Sequence, residues 1–314
     1  MTDIRRVGVL GCGLMGSGIA QVAATAGYET LVRDVAPEVW SRAQANIEKS
    51  LAKFVEKGKL TPPDRDASLK RLRFTTATAD LKECDIVVEA VTEDVALKNA
   101  LWKELDAVCG PAAIFASNTS SLTIAAMAAV TKRADRFVGL HFFNPVPLMQ
   151  LVEVVRTVTT SEETFTRAFG FARSLGKDPV AAKDTSGFIV NLLLIPYLLD
   201  AIRAVEHRVG SVPDIDKAMQ LGCGHPMGPL TLLDFVGLDT THKIAEIMFD
   251  EYRETRYAPP PLLRRMVLAG MTGRKSGRGS TITRRTRLQC PISASKQETL
   301  CTCLVTTGPA CTRR

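Results

Sequence analysis

Two hydrophobic rhythms divide the chain. In the first part, short β-branched runs recur between stretches of helical period. Val7 to Leu10, Tyr28 to Val32 and Asp85 to Val91 read as buried strands, and Ile114 to Ala116, Arg136 to Phe143, Leu151 to Val155 and Pro179 to Ala181 read as further ones. Between them, the small and apolar residues from Ser17 to Ala26 suit a helix packed closely on a sheet. Residues 37–60 form a long amphipathic helix that Thr61-Pro62-Pro63-Asp64 breaks, with a shorter helix over 64–71. Leu97, Leu101 and Leu105 mark another near 94–108, and Ser161 to Ser174 a further one. From Asp184 onward the strands stop. Gly187 to His207, Asp214 to Gln220, Pro229 to Tyr252 and Pro261 to Gly270 read as helices. Strands alternating with helices predict an α/β doubly wound parallel sheet over residues 1–183, and the remainder predicts an all-α C-terminal domain over 184–279.

The link between the first strand and helix is Gly11-Cys12-Gly13-Leu14-Met15-Gly16. In this context each glycine has its own mechanical role. Gly11 permits the tight turn, Gly13 lets backbone approach a pyrophosphate, and Gly16 lets helix and strand pack closely. The anion would sit at the helix N-terminus. Asp34, 18 residues past Gly16, closes the second strand. A carboxylate there accepts hydrogen bonds from a ribose diol and repels a 2′-phosphate. The spacing therefore predicts a Rossmann-like domain for NAD; Arg33 leaves NADP open, and FAD shares the fingerprint.

Composition changes this picture little. The 314 residues are 46% hydrophobic, enough for two cored domains. No apolar run reaches the roughly 18 residues of a membrane span. The N-terminus lacks a basic region followed by a cleavable apolar stretch, so a cytoplasmic protein is expected. The net charge of +7 is misleading. Residues 280–314 hold Arg284, Arg285, Arg287, Lys296, Arg313 and Arg314 against Glu298 alone, which leaves the body nearly neutral. Cys12, Cys84, Cys109 and Cys223 are scattered and read as reduced thiols, while Cys290, Cys301, Cys303 and Cys311 crowd the tail without zinc spacing. No metal site and no nucleic-acid module is expected.

Candidate chemistry lies at two strands. His141 precedes the loop forced by Asn144-Pro145-Val146-Pro147, and strand ends in open α/β sheets face the ligand crevice. Glu153 interrupts the apolar run Leu151 to Val155, an expensive place for a carboxylate unless it is paired. An imidazole on a neighbouring strand is the evident partner, and such a pair would orient the ring and favour the imidazolium.

The segments GCGLMGSGIAQ, ASNTSSL, HFFNPVPLMQLVEVV, DTSGFIVN and GHPMGPLTLLDFVGLD, in this order, closely resemble the L-3-hydroxyacyl-CoA dehydrogenases, in particular the short bacterial 3-hydroxybutyryl-CoA dehydrogenase type. The resemblance covers residues 4 to 279. It implies an NAD domain, a helical domain that dimerises, and oxidation of 3-hydroxyacyl-CoA to 3-ketoacyl-CoA in fatty acid or butanoate metabolism. By motif, His141 resembles the general base and Glu153 its orienting carboxylate. Ser120 resembles the hydroxyl on the substrate oxygen near the nicotinamide. Asn144 and Asn191 resemble active-site amides, Asn191 reaching in from the second domain, and Ser120 and Asn144 also match cofactor-binding positions. Glu93, Lys98 and Lys275 match cofactor contacts, and Ser50 and Lys57 match CoA contacts on the long helix.

Plainer readings stand beside these: Ser120 as cap of a helix near Leu122, Asn191 as a turn terminator, Lys57 as a solvated charge and His225 as structural. Rival functions are a same-scaffold dehydrogenase of a non-CoA hydroxy or sugar acid, of the gulonate type, a β-hydroxyacid dehydrogenase with a catalytic lysine, and a non-catalytic crystallin-like scaffold.

The resemblance ends abruptly. Relatives continue past the position of Gly279 with Phe-Tyr-x-Tyr, whereas Ser280-Thr281-Ile282-Thr283 opens a Thr/Arg/Cys-rich stretch without aromatics. Ser-Thr-Ile-Thr written TCT ACG ATT ACG becomes Phe-Tyr-Asp-Tyr once a single T is restored in front. Residues 280–314 thus read as a disordered tail produced by a frameshift.

Overall fold

A computed structural model describes residues 4–281 of the chain. It divides into two compact units, Met1–Leu192 and Leu193–Arg314.

The first unit is an eight-stranded sheet flanked by helices on both faces. In chain order its elements are β1 (Arg6–Leu10), α1 (Leu14–Thr25), β2 (Glu29–Arg33), α2 (Pro37–Glu56), α3 (Pro62–Arg71), β3 (Leu72–Thr75), β4 (Ile86–Glu89), α4 (Val95–Val108), β5 (Ile114–Ser117), α5 (Ile124–Ala128), β6 (Phe137–Phe142), β7 (Leu151–Arg156), α6 (Glu162–Ser174) and β8 (Asp178–Lys183). The strand order is β3-β2-β1-β4-β5-β6-β7-β8, and every neighbouring pair is parallel except β6 with β7. β4, β5 and β6 are buried throughout, as expected for strands covered on both sides. Alternation sends Val7, Val9, Ile86 and Val88 into a core with Ile19, Ala23 and Phe171 of α1 and α6. Leu10, Val87, Phe115 and Phe137 join Trp102, Leu105 and Met127 of α4 and α5 on the other face. The long helix α2 buries only Ala43, Ile47 and Leu51, a stripe at four-residue spacing, and keeps its charged face in water.

The structure adds one strand to the expected set. β3 is a four-residue edge strand with no fully buried position, so its sequence Leu-Arg-Phe-Thr carries little periodic signal.

The division between the two compact units falls inside α7 (Val190–Glu206). The second unit continues with α8 (Val212–Cys223), α9 (Pro229–Val236), α10 (Leu238–Tyr252) and α11 (Pro261–Leu268). Residues 229–252, expected as one helix, are two. Gly237, with φ +105°, breaks them where a side chain would be strained. Two buried aspartates organise this unit. Asp216 accepts from the amides of Leu230 (2.7 Å) and Thr231 (3.0 Å), capping α9. Asp234 accepts from the amides of Ser280 (2.6 Å) and Thr281 (2.7 Å). The first two residues of the expected disordered, frameshifted tail of 280–314 are thus held through their amides by the Asp234 carboxylate; the rest of that reading, with its four cysteines, lies outside the described residues. Among the described residues, no helix is long and apolar enough to cross a membrane.

Candidate active site

The glycine turn follows β1 directly. Gly11 has φ +86°, and its amide donates to the Arg33 carbonyl at 2.8 Å. A Cβ on Gly16 would stand 1.8 Å from the Gly11 carbonyl oxygen, so strand and helix meet only because none is there. Gly13 differs: a Cβ there would meet nothing within 4 Å. Its backbone borders open space, at the N-cap of a helix whose first turn has no side-chain cap. Unpartnered amides beside bare backbone make a cradle for a phosphate. Asp34 holds the facing edge. Its Oδ2 accepts from the Cys12 amide at 2.6 Å and its Oδ1 from Val35 at 2.7 Å, which leaves lone pairs on both oxygens for a diol. Burial and the Asp34 carboxylate push the Cys12 thiol up to about 12, so it remains a neutral wall of this turn. These residues fit a dinucleotide.

The second cluster is built on the antiparallel pair β6 and β7, where His141 lies opposite Glu153. Imidazole Nδ1 is 2.6 Å from Glu153 Oε2, and Nε2 is 3.1 Å from Ser120 Oγ. His141 is 4% exposed and Glu153 is fully buried. Glu153 Oε1 accepts from the amides of Ile189 (3.0 Å) and Val190 (2.9 Å) at the start of α7. Gly187 (φ +83°) and Phe188 (φ +48°) turn the chain so that these two amides face the carboxylate. A left-handed phenylalanine is costly and marks an over-determined site. The rings of Phe143 and Phe188 pack at 4.5 and 5.5 Å from the imidazole. A carboxylate can only accept, so the shared proton belongs on Nδ1 and Nε2 keeps its lone pair.

A third network fixes Ser120. The Ser120 amide donates to Glu93 Oε1 at 3.0 Å, and the Thr119 hydroxyl donates to the same carboxylate at 2.8 Å. Lys98, 1% exposed, bridges Glu89 Oε1 (2.7 Å) and Glu93 Oε2 (3.1 Å), and Ser117 donates to Glu89 Oε2 at 2.7 Å. Asn118 Oδ1 accepts from the Phe142 amide at 2.9 Å, joining the Ser120 segment to the end of β6. Glu93 and Lys98, expected as cofactor contacts, both belong to the network at the Ser120 turn, where the Glu93 side chain is 26% exposed.

Ser120 does not cap the following helix. Thr123 occupies the N-cap of α5, and Asp184 accepts from the amides of Ile124 (2.9 Å) and Ala125 (2.7 Å). Asn191, at the start of α7, donates from Nδ2 to the Ser120 carbonyl at 3.4 Å. Asn144 is exposed just beyond β6, before a cis peptide to Pro145. Ser50 is half-buried on α2, and Lys57 is exposed at that helix's C-terminus. Lys275 belongs to the second unit and pairs with Asp239. His225 accepts or donates at Nδ1 with the Tyr197 hydroxyl at 3.0 Å, a local contact in the helical unit.

Sequence reasoning missed Glu89, Asn118 and Asp184. Glu89 carried a signal: it ends a strand of Ile and Val, as Glu153 interrupts one. Asn118 and Asp184 sit in turns, where such residues are ordinary.

Comparison with known proteins places this geometry. The profile of the 3-hydroxyacyl-CoA dehydrogenase NAD binding domain matches residues 6–185, and that of the 3-hydroxyacyl-CoA dehydrogenase C-terminal domain matches residues 187–282. A 3-hydroxybutyryl-CoA dehydrogenase of Mycobacterium tuberculosis is 52% identical over 282 residues, which cover 89% of this chain and 99% of the relative. The mitochondrial hydroxyacyl-coenzyme A dehydrogenase of Homo sapiens is 46% identical over 283 residues, covering 88% of this chain and 90% of the relative. The crystal structure of (S)-3-hydroxybutyryl-CoA dehydrogenase from Ralstonia eutropha superposes with a TM-score of 0.86 at 43% identity, covering 89% of this chain and 99% of that one.

Proposed function

We propose, since the chain belongs to the 3-hydroxyacyl-CoA dehydrogenase family of NAD-dependent oxidoreductases, that His141, Glu153 and Ser120 carry its proton chemistry. When bound, NAD supplies the acceptor for the hydride that leaves C3 of the 3-hydroxyacyl-CoA. His141 Nε2, its lone pair released as the Ser120 hydroxyl turns away, takes the proton of the C3 hydroxyl as that O–H bond breaks. Glu153 Oε2 holds Nδ1–H and so steadies the positive ring that forms, while the amides at Oε1 fix the carboxylate. Ser120 Oγ turns from the imidazole to donate to the substrate oxygen, and Asn191 steadies the Ser120 carbonyl. Asn144 serves as a polar contact to the reactants from the β6–β7 loop. Phe143 and Phe188 keep water from the ring. In the reverse reduction the imidazolium returns its proton to the carbonyl oxygen.

The preferred substrate is a short acyl chain such as 3-hydroxybutyryl-CoA, a reading supported by the names of the bacterial relatives. Ser50 and Lys57 on α2 are our candidates for CoA contacts. Exposed Leu193, Val209, Leu221, Phe235 and Leu268 in the helical unit support a homodimer through that unit. The described cysteines are free thiols, which supports a reducing, cytoplasmic setting.

The observation that carries the reading is the line Ser120 Oγ, His141, Glu153, at 3.1 and 2.6 Å. NADH absorbance with acetoacetyl-CoA and with free acetoacetate tests it: turnover should require the thioester. His141→Ala should lose about 10²–10⁴-fold in turnover and bind NADH as the wild type does. Weakened NADH binding with normal turnover would refute the assignment.

A further inference from the structure

Lys177 is a buried cation that the chemistry above does not use. It follows Gly176, whose φ of +72° ends α6 and turns the chain towards β8. The residue is 6% exposed. Its Nζ donates to the carbonyl of Val146 at 2.6 Å and to that of Met149 at 2.8 Å. Burial lowers its pKa, and among the described residues it forms no salt bridge with a carboxylate. Placing an ammonium out of water against two neutral carbonyls is an expensive way to gain two hydrogen bonds. What it secures is the loop between β6 and β7.

That loop has few other contacts, among them the Gln150 carbonyl, which accepts from the Asp178 amide at 2.9 Å. Asn144, Pro145, Leu148, Met149 and Gln150 are exposed. Its one buried side chain, Val146, packs on Gly18 of α1, where a Cβ would come within 2.8 Å. The amides of Leu148 and Met149 both turn back to the Pro145 carbonyl. Asn144 stands two residues before Val146, and the strand that carries His141 runs straight into this segment. His141 itself is fixed independently, by the β6–β7 ladder and by Glu153.

We propose that Lys177 is a positioning residue for the dehydrogenase reaction: its ammonium, bound to the Val146 and Met149 carbonyls, sets the loop that presents Asn144 to the reactants. This rests on the reading of Asn144 as a group that touches them. Lys177 acts on the reaction through Asn144 and not through His141, so its effect disappears when Asn144 has no side chain to place.

The test is a cycle of wild type, Asn144→Ala, Lys177→Met and the double variant, each assayed for kcat and its pH profile with 3-hydroxybutyryl-CoA and NAD. Displacement of a reacting group by about 1 Å costs up to about 10²-fold, so Lys177→Met should lower kcat by about 10- to 10²-fold. The acid limb of the profile should stay as in wild type, and adding Lys177→Met to Asn144→Ala should cost nothing further. Multiplying losses, a shifted acid limb or an unchanged kcat in Lys177→Met would overturn the proposal. Wild-type kcat in Asn144→Ala alone would overturn the reading of Asn144, and the proposal with it. Should Lys177→Met fail to fold, Lys177→Gln, which keeps N–H donors, carries the same cycle with a smaller expected loss, and additivity decides.

Discussion

Glu153→Gln isolates the part of this site that a contact map alone would undervalue. The substitution is nearly isosteric and removes no packing, but the glutamine has one oxygen where the glutamate has two. Two orientations compete. With the amide nitrogen at the Oε1 position, it would confront the Ile189 and Val190 amides, now at 3.0 and 2.9 Å from that oxygen. Donor would then face donor twice, and each buried unsatisfied N–H costs about 1–3 kcal/mol. With the oxygen kept at Oε1, both amides stay satisfied and the NH₂ faces His141 Nδ1, now 2.6 Å from the carboxylate. Avoiding a loss of about 2–6 kcal/mol selects the second orientation. The imidazole must then accept at Nδ1 and carry its proton on Nε2, so Ser120 and the substrate meet a donor. A neutral ring in that tautomer cannot take the hydroxyl proton. General-base catalysis contributes about 10²–10⁴-fold, about 3–5 kcal/mol in the barrier at 1.36 kcal/mol per decade, and that range is the expected fall in kcat. NADH binding, measured by fluorescence titration, should be unchanged, because the glycine turn and Asp34 lie elsewhere. Thermal unfolding should stay near wild type, whereas Glu153→Ala, which strands both amides, should unfold earlier. A Glu153→Gln enzyme that keeps wild-type kcat in both directions would refute the claim that the carboxylate sets the tautomer.

Two further predictions separate cofactor binding from stability. Gly13→Ala adds a methyl where nothing lies within 4 Å, so its Tm should equal or exceed wild type while NADH affinity falls, since the methyl intrudes on the phosphate cradle. Gly16→Ala places a methyl 1.8 Å from the Gly11 carbonyl and should lower the Tm itself; equal effects of the two variants on calorimetric Tm would contradict the division of labour between these glycines. The buried thiols give an alkaline signature: Cys12 and Cys84 are pushed to about 12 and Cys109 to about 11, chiefly by burial, from an ordinary 9.0. The unfolded chain releases these protons first, so stability is intact below pH 9 and declines as pH rises from 9 towards 12, read as a falling Tm. At neutral pH, iodoacetamide should modify exposed Cys223 before the other described cysteines, as peptide mass spectrometry would show.

What was legible in the chain follows from how many residues each feature needs. The doubly wound sheet announces itself through repeated apolar runs, each buried on both sides, and the glycine turn through three positions whose missing Cβ atoms are required at fixed spacing. His141 and Glu153 could be paired because an acid inside a strand of Leu and Val has so few ways to exist. The break at Gly237 escaped because a lone glycine inside a helical pattern is also tolerated, and the edge strand β3 because it depends on a neighbour that a local pattern does not name. The same holds for the polar scaffold at Ser120. Apart from the family resemblance, Lys98 on α4 has the local pattern of any solvated lysine, and only the sheet's register brings Glu89 and Ser117 beneath it, with Glu93 on top. Lys177 is the sharpest case. In sequence it is a charged residue after a helix-ending glycine, where solvent is the ordinary expectation; its side chain is buried because β8 pairs with β7 and so draws the end of α6 beneath the loop that β7 leaves behind. Charges buried by topology in this way leave no local mark, and they cluster where the reacting groups must be held still.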